Sequence, residues 1–393
     1  MKHSLLIILI FFTSTVLWGQ TNENTISIGK KYNIQSKILN ENRVYKIYLP
    51  PSYDNSPLKK YIVAYVLDGD DSKFKEIAGI VQSMNAATQL KMQIPELIIV
   101  AVENTDRTRD FTPTHSLNYL DLENIAAFST SGKASNFMKF LETELMPEIN
   151  KSYRTYSRNM IIGHSLGGLL AINCLLEAPQ LFSYYLLIDP SWFWDHNYIG
   201  KRAREVLQNE NNLKARVYIS LANNFKEDGR HYQWGQEFYN LLQANSSPGL
   251  SSKIQYFPDE KHLTVPLPST YYGLRYIFEG LDIDINDIMK DPSVVTKTYE
   301  SISQKLALDL KPDEAYMNTI GYVALYDRKI PDAAISIFEI NAQNYPSSLN
   351  VWDSLAEAYM KKGFKEKAKE CYRKILALDP ANVRAKDQLK NVK

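Results

Sequence analysis

The stretch "MIIGHSLGGLLA", residues 160–171, decides the fold. Within it, the segment GHSLG, residues 163–167, matches the pattern G-x-S-x-G. The match follows an apolar stretch and opens a helical one, which is the context of a nucleophile elbow. Glycine at both ends of the segment would spare the sharp turn a side-chain clash, and Gly168 would let helix and strand approach closely. The pattern predicts a reactive Ser165 at the top of a sheet; a serine that only caps a helix is the alternative.

Strands and helices alternate in the sequence as far as residue 280. "YIVAYVLDG" (61–69) and "ELIIVAVEN" (96–104) are continuous apolar runs, typical of strands buried on both faces of a parallel sheet. "RVYKIYLP" (43–50) alternates and stops at two prolines, which predicts an early edge strand. Further strands are predicted at 159–163, 184–191, 215–222 and 253–257, with helices at 73–93 and 134–153 among them. The alternation predicts an open α/β sheet with flanking helices over residues 25–285, with ligands outside the carboxyl ends of the strands.

The chain changes character after about residue 285. Residues of matching type recur 34 positions apart, namely Pro312, Pro346 and Pro380, Ala334 and Ala368, and Phe338 and Tyr372. This period is the tetratricopeptide pattern of paired antiparallel helices, with its clearest copy at 350–382 and a looser one at 314–346. Residues 293–312 add one more helix. We therefore predict a small all-α tetratricopeptide-like module over 293–393. It should pack on the α/β domain, because two repeats are few for independent stability.

The first twenty residues have the layout of a signal peptide. Lys2 precedes an apolar run that starts at Leu5, and small and polar residues surround Gly19. The run is short for a membrane span. We predict cleavage near Gly19 or Gln20, export to the periplasm or the medium, and no stable membrane span afterwards; a retained N-terminal anchor is the alternative.

Charge and cysteine content argue against a nucleic-acid-binding protein and against a disulfide-rich protein. The 45 Lys and Arg residues against 44 Asp and Glu give a net charge of +1, so nucleic acid is not an expected partner. Cys174 and Cys371 fall in different predicted domains, and no disulfide framework is expected. No group of His, Cys and carboxylate residues has metal-ligand spacing, so we expect neither a metal nor an organic cofactor.

A serine hydroxyl needs a general base within hydrogen-bond reach. His262 follows the last predicted strand, where the order serine, acid, histidine of α/β-hydrolases places the base. His196 and His231 come too early for that topology, although either could line the site. His164, inside the elbow, is interpreted as structural. A surface histidine without a role is the alternative for His262.

The orienting acid should follow the strand at 215–222. Asp228 and Glu227 are the candidates there, with a weak preference for Asp228, since either carboxylate could accept from the imidazole. Asp259 and Glu260 are interpreted as solvated turn residues. A Ser–His dyad without an acid is the alternative.

An oxyanion hole requires two backbone N–H donors. Leu166, the residue after the nucleophile, should supply one from the start of its helix. The loop after "YIVAYVLDG", at Gly69 and Asp70, should supply the other. An ordinary turn at this loop is an equal alternative on spacing alone.

Five segments, in this order, resemble the putative-esterase family of α/β-hydrolases, which includes esterase D and the enterochelin (siderophore) esterases. They are "YVLDGDDSKF" (65–74), "ENTDRTRDFTPTH" (103–115), "GHSLGG" (163–168), "IDPSWFW" (188–194) and "DEKHLTVPLPSTYYGLRYIF" (259–278). The resemblance spans about residues 25–280. It implies Ser165 as nucleophile, His262 as base and the loop at Gly69 and Asp70 in the oxyanion hole.

The resemblance also implies a substrate cleft lined by Arg107, Arg109, Trp192 and Trp194. The arginines are candidates to hold an anionic ligand, with a solvated charge cluster as the alternative. Members of the family often carry Glu soon after the strand at 215–222, whereas this chain has Asn223 and Asn224 there. The resemblance therefore leaves the acid open.

These observations predict an exported serine ester hydrolase that acts through an acyl-enzyme on a small ester. Siderophore esters, acylated sugars and short acyl esters are all candidate substrates. The rival hypothesis is a catalytically quiet α/β scaffold whose repeats bind a protein partner. The repeats could equally serve as a structural cap.

Overall fold

The computed structural model describes residues 26–392 except 87–89, 211, 225–228 and 246. The predicted leader, residues 1–20, lies outside this part of the chain. The strands are β1 (Lys30–Ser36), β2 (Glu41–Tyr48), β3 (Tyr61–Val66), β4 (Asn85–Ala86), β5 (Lys91–Met92), β6 (Leu97–Val102), β7 (Thr155–His164), β8 (Tyr184–Ile188), β9 (Lys214–Ala222) and β10 (Gly249–Phe257).

The helices surround the strands and then continue alone to the C-terminus. They are α1 (Asp71–Met84), α2 (Arg107–Phe111), α3 (Ala134–Phe140), α4 (Met146–Ser152), α5 (Leu166–Glu177), α6 (Trp194–Asn209), α7 (Arg230–Ala244), α8 (Pro266–Ile277), α9 (Ile285–Lys290), α10 (Ser293–Leu306), α11 (Glu314–Tyr322), α12 (Pro331–Asn344), α13 (Leu349–Lys362), α14 (Lys365–Leu378) and α15 (Val383–Asn391). Within the described ranges, none of them is both long and apolar enough to cross a membrane.

The main sheet has the strand order β1-β2-β6-β3-β7-β8-β9-β10 among the described residues. β1 and β2 run antiparallel to their neighbours, and the strands from β6 to β10 are parallel. The predicted α/β-hydrolase sheet with flanking helices is confirmed. One detail is corrected: β2, predicted as an edge strand, lies inside the sheet because β1 pairs along its outer side.

Both faces of the sheet are covered, which explains the continuous apolar runs. In β3, Ile62 and Val66 belong to one buried cluster, while Val63 and Tyr65 belong to the other. Successive side chains of a strand point to opposite faces, so burial on both sides requires apolar residues at every position. Helices α1 and α8 cover one face, and α5, α6 and α7 contribute to the cluster on the other.

The C-terminal helices form the predicted pairs and are part of the same core. α13 and α14 span the clearest repeat, and α11 and α12 span the looser one. One continuous buried cluster contains Tyr184 and Leu186 of the sheet together with Met317 and Phe338 of the module. Tyr184 also donates a hydrogen bond to the Leu306 carbonyl, at 2.9 Å. The module thus shares an apolar core with the hydrolase domain.

A buried ion cluster ties the module to the sheet. The Lys59 ammonium lies 2.6 Å from both Glu96 Oε2 and Asp313 Oδ2. Asp313 is the N-cap of α11, where its other oxygen accepts from the N–H groups of Ala315 and Tyr316. Burial opposes the charge on Lys59, but the two carboxylates raise its pKa far above the usual range.

We predict that Lys59→Met lowers the free energy of unfolding by about 3–5 kcal/mol, because it leaves two buried carboxylates unpaired. Urea denaturation followed by circular dichroism measures this loss. The matched control is Lys297→Met, which removes the exposed pair with Asp291, where the side chains are 69% and 59% accessible. The control should cost less than about 1 kcal/mol. Equal losses in the two variants would contradict a structural role for the Lys59 cluster.

Candidate active site

The turn between β7 and α5 has the geometry expected of a nucleophile elbow. Ser165 has φ of 60° and ψ of −119°, a conformation that L-residues rarely adopt. A methyl group on Gly163 would lie 2.2 Å from the Gly167 carbonyl oxygen, so only glycine fits there. A methyl group on Gly168 would lie 3.0 Å from Cα of Pro190, so this glycine admits the loop after β8. The structure therefore accounts for the glycines around the serine.

Three neighbouring strands end in residues with positive φ. Asp68 follows β3 with φ of 56°, Ser165 follows β7 with φ of 60°, and Asp189 follows β8 with φ of 40°. All three lie at the carboxyl edge of the parallel strands, where ligands of such sheets bind. Backbone strain of this kind concentrates at functional sites.

Ser165, His262 and Asp189 form a hydrogen-bonded relay. Ser165 Oγ lies 3.0 Å from His262 Nε2, and His262 Nδ1 lies 2.6 Å from Asp189 Oδ2. A carboxylate only accepts hydrogen bonds, so Nδ1 carries the proton and Nε2 faces the serine hydroxyl with its lone pair. The His262 side chain is 32% exposed, whereas Asp189 is completely buried.

The contact with His262 is made by a carboxylate other than the two that the sequence analysis named. The carboxylate that binds His262 belongs to Asp189, at the end of β8, which the sequence analysis did not consider as an acid. Asp228 and Glu227 lie outside the described residues. At the end of β9, the Asn224 side-chain amide donates to Asp189 Oδ2 at 2.9 Å. The structure thus gives a function to the amide that stands where the family often carries Glu.

Asp189 remains ionised although it is buried. Burial alone would raise its pKa, but hydrogen bonds from His231 and His262 and the backbone N–H of Ala222 hold the pKa well below its usual range. His231 Nε2 lies 2.8 Å from Asp189 Oδ1, so the carboxylate lies between two histidines. The expectation that His231 comes too early to be the base is consistent with its place on the far side of Asp189 from His262.

His164 packs directly against His262. The two rings lie 4.5 Å apart between centroids, and His164 Nε2–H donates to the His262 carbonyl at 2.8 Å. Burial, together with the neighbouring His262, lowers the pKa of His164 to about 4. His164 is thus a neutral support for the backbone at His262.

A second serine contacts the nucleophile. Ser191, which is buried after β8, has its Oγ 3.1 Å from Ser165 Oγ, and its N–H donates to the Ser165 carbonyl at 3.1 Å. Because the Ser165 hydroxyl proton points to His262, Ser191 is the donor in the contact between the two hydroxyls. Ser191 therefore supports the side-chain rotamer of Ser165 by a contact additional to the one with the base.

The loop after β3 offers fewer free donors than predicted. The Gly69 N–H, predicted as an oxyanion donor, donates to the Val102 carbonyl at 2.8 Å. The Asp70 N–H donates to the Asp68 carbonyl at 2.9 Å within a tight turn. Leu166 is the first residue of α5, and the first N–H groups of a helix have no partner within it.

The two arginines have different surroundings. Arg107 binds the Asp68 carboxylate through Nε and Nη2, at 2.6 and 2.9 Å, and Nη2 also donates to the His164 carbonyl. It therefore holds the loop after β3 against the elbow. Arg109 instead binds Glu41 and Asp110, and it helps lower the pKa of Glu41 to about 2. These ion pairs favour the alternative of a charge cluster for Arg109, and its contact with a ligand stays a prediction.

The predicted tryptophans of the cleft are core residues. Trp192 and Trp194 are both completely buried, so neither is accessible to a substrate. Phe193 between them is half-buried, with its ring centroid 4.7 Å from that of Tyr119. The three residues that follow Trp194 have positive φ, which turns the chain before the regular part of α6. Phe193 and Tyr119 are thus the accessible aromatic pair beside the buried tryptophans.

Comparison with known proteins agrees with this geometry. A family model described as putative esterase matches residues 36–247, and a tetratricopeptide repeat model matches residues 350–382. The ferri-bacillibactin esterase BesA of Bacillus subtilis is 29% identical over 258 residues, which are 63% of this chain and 88% of BesA.

Solved structures resemble both parts of the chain. An IroE-like serine hydrolase of Shewanella oneidensis superposes with a TM-score of 0.72 at 29% identity, over 80% of this chain and 99% of its own. An uncharacterised protein of Capnocytophaga ochracea has a TM-score of 0.55 at 17% identity and covers 93% of this chain and 99% of its own, which shows a shared fold.

The relatives support hydrolysis of an ester bond, and the repeat model confirms the predicted tetratricopeptide module. The putative esterase model covers more than half of the chain. The chain therefore belongs to the putative esterase family and carries tetratricopeptide-type helices behind its α/β-hydrolase sheet.

Proposed function

We propose that this protein hydrolyses carboxylic esters through a serine acyl-enzyme. Ser165 is the nucleophile, His262 the general base and Asp189 the orienting acid. The observation that carries the proposal is the relay with distances of 3.0 Å and 2.6 Å at the carboxyl edge of the sheet. Both distances fall in the range in which a base activates a serine.

Acylation begins when Ser165 Oγ attacks the ester carbonyl carbon and its proton passes to His262 Nε2. The tetrahedral intermediate collapses as His262 returns this proton to the departing alkoxide, which leaves as the alcohol. Water then adds to the acyl-enzyme with His262 as base, and the carboxylic acid is released. Asp189 stays ionised and stabilises the imidazolium that forms twice in this cycle.

The developing oxyanion requires donors near Ser165. Leu166 N–H is the first, at the start of α5, where the helix dipole also favours negative charge. The Asp70 N–H is the second candidate. It already donates to the Asp68 carbonyl, so an oxyanion would share this donor in a three-centre bond.

The neutral ring of His164 does not oppose the positive charge that His262 acquires during the reaction. A positive charge on a ring 4.5 Å from His262 would oppose protonation of the base. Because the pKa of His164 is about 4, its ring is neutral at pH 7. Its hydrogen bond to the His262 carbonyl meanwhile holds the base in position.

The substrate is a small carboxylic ester. Relatives named for ferri-bacillibactin and apo-salmochelin support a siderophore ester, and acylated sugars or other short acyl esters have the same reactive group. We further propose that the leader at residues 1–20 directs the protein to the periplasm or the medium.

For the helical module, the buried cluster that it shares with the sheet favours a structural role over recruitment of a partner. A partner on the exposed side of the repeats remains a separate proposal. The quiet-scaffold hypothesis is disfavoured by the intact relay.

We predict that Ser165→Ala reduces hydrolysis of p-nitrophenyl acetate, butyrate and octanoate to background. Asp189→Asn should lower kcat by on the order of 10⁴-fold, because the amide places the wrong imidazole tautomer before Ser165. The control is Asp259→Asn, which changes an exposed carboxylate close to His262 in the chain and should leave kcat unchanged.

A fluorophosphonate probe should label the wild type and not Ser165→Ala, with circular dichroism showing that both are folded. Absence of labelling in the wild type would reject the serine mechanism and favour the scaffold hypothesis. A full loss of activity in Asp259→Asn together with a silent Asp189→Asn would reject Asp189 as the acid.

A second prediction concerns pH and stability. His164 titrates near 6.5 in the unfolded chain and at about 4 in the folded protein, so the unfolded chain binds more protons between these values. Stability therefore falls as the pH falls through this window. His164→Gln retains an N–H donor for the His262 carbonyl and removes the titration. Urea denaturation at pH 7 and pH 5 should show that acidification costs the wild type about 2 kcal/mol more than this variant. An identical pH dependence in both proteins would show that His164 is not held neutral.

A further inference from the structure

The Asp189 oxygen that does not face His262 binds a second histidine, His231, which the proposed reaction does not use. His231 lies in the first turn of α7, and its side chain is 12% exposed. Its Nε2–H donates to Asp189 Oδ1 at 2.8 Å, opposite the oxygen that binds His262. No bond is made or broken at His231 in the steps described above.

The hydrogen bonds on Asp189 fix the plane of its carboxylate. Oδ2 accepts from His262 Nδ1 at 2.6 Å and from the Asn224 amide at 2.9 Å. Oδ1 accepts from His231 at 2.8 Å and from the Ala222 N–H at 2.9 Å. Rotation of the carboxylate would break bonds on both oxygens. A buried carboxylate that loses one donor is left partly unsatisfied, which is costly where water has no access.

Of these donors, His231 is the side chain that anchors Oδ1. Ala222 contributes a backbone N–H fixed by the sheet, and Asn224 shares Oδ2 with His262. Without His231, Oδ1 keeps a single donor, and one of the four hydrogen bonds that oppose rotation of the carboxylate is lost. The 2.6 Å contact to His262 Nδ1 depends on this orientation.

We infer that His231 is a positioning residue for ester hydrolysis, acting through Asp189 to keep His262 aligned with Ser165. The inference rests on the proposed function, since it assigns His231 a part in the same relay. His231 touches Asp189 and not the nucleophile, so it should affect the chemical step and not substrate binding. A residue that only anchors α7 would change stability and leave kcat of the folded protein unchanged.

The test compares two substitutions of His231. His231→Leu removes the donor at similar volume, and His231→Gln replaces the imidazole Nε2–H with an amide N–H. With p-nitrophenyl butyrate as the probe, kcat should fall about 10- to 100-fold in His231→Leu, the loss expected for one hydrogen bond to a charged group. KM should not change, and His231→Gln should recover most of the activity.

Gln233→Leu is the matched control, since Gln233 is an exposed polar residue of the same helix. It should leave kcat unchanged. Unfolding temperatures of all variants establish that the folded proteins are compared. Unchanged kcat in His231→Leu, or equal loss in His231→Leu and His231→Gln, would overturn the inference.

Nuclear magnetic resonance of the ¹⁵N-histidine-labelled wild type tests the inference even where His231→Leu does not fold. The expected tautomer of His231 carries its proton on Nε2, and a proton on Nδ1 alone would overturn the assignment. Ser165→Ala distinguishes failure of the inference about His231 from failure of the proposed function. If Ser165→Ala is inactive and His231→Leu is fully active, the inference about His231 fails alone; if Ser165→Ala is fully active, the proposed function fails.

Discussion

One completely buried negative charge organises the edge of the sheet. The Asp189 carboxylate has no contact with solvent, and its ionised form requires donors from the protein. These donors come from three separate parts of the chain: the end of β9, the first turn of α7 and the segment before α8. Each of these segments is therefore held at the same point by the same charge. The hydrogen bond that His262 donates to Asp189 also holds His262 next to Ser165.

The strained residues at the strand ends belong to the same constraint. Ser165 and Asp189 follow paired strands, and the Ser165 N–H donates to Ile188, the last residue of β8. Both residues have positive φ, and both side chains contact His262. The Asp68 turn is stabilised in the same way by the bidentate contact with Arg107. Strain of this kind persists because the surrounding hydrogen bonds leave no alternative conformation.

The sequence allowed the sheet to be predicted because strands buried on both faces have an unmistakable composition. β1 was missed for the opposite reason: it is an edge strand with the sequence KKYNIQS, largely polar and mostly solvent-exposed. The serine and histidine were predictable from local context and chain order. Asp189 was not, because the expected order places the acid after β9, and the contact of Asp189 with His262 joins residues 73 positions apart.

The errors about substrate contacts have a related cause. Residue type alone does not show whether an arginine is free, and Arg109 is committed to Glu41 and Asp110, residues on separate elements. Similarly, both tryptophans of "IDPSWFW" are buried in the core, whereas Phe193 between them is partly exposed. Which side chain faces the cleft depends on the backbone turn after β8, and composition does not encode that turn directly.

The core that sheet and module share has a consequence for the order in which the chain folds. The Tyr184 hydroxyl donates to the Leu306 carbonyl and Lys59 pairs with Asp313, so the hydrolase domain contacts helices that are synthesised last. Until those helices are present, the emerging chain lacks these contacts, and its part of the shared apolar cluster has fewer neighbours. If the repeats have the structural role proposed above, the hydrolase core is complete only when translation has reached them.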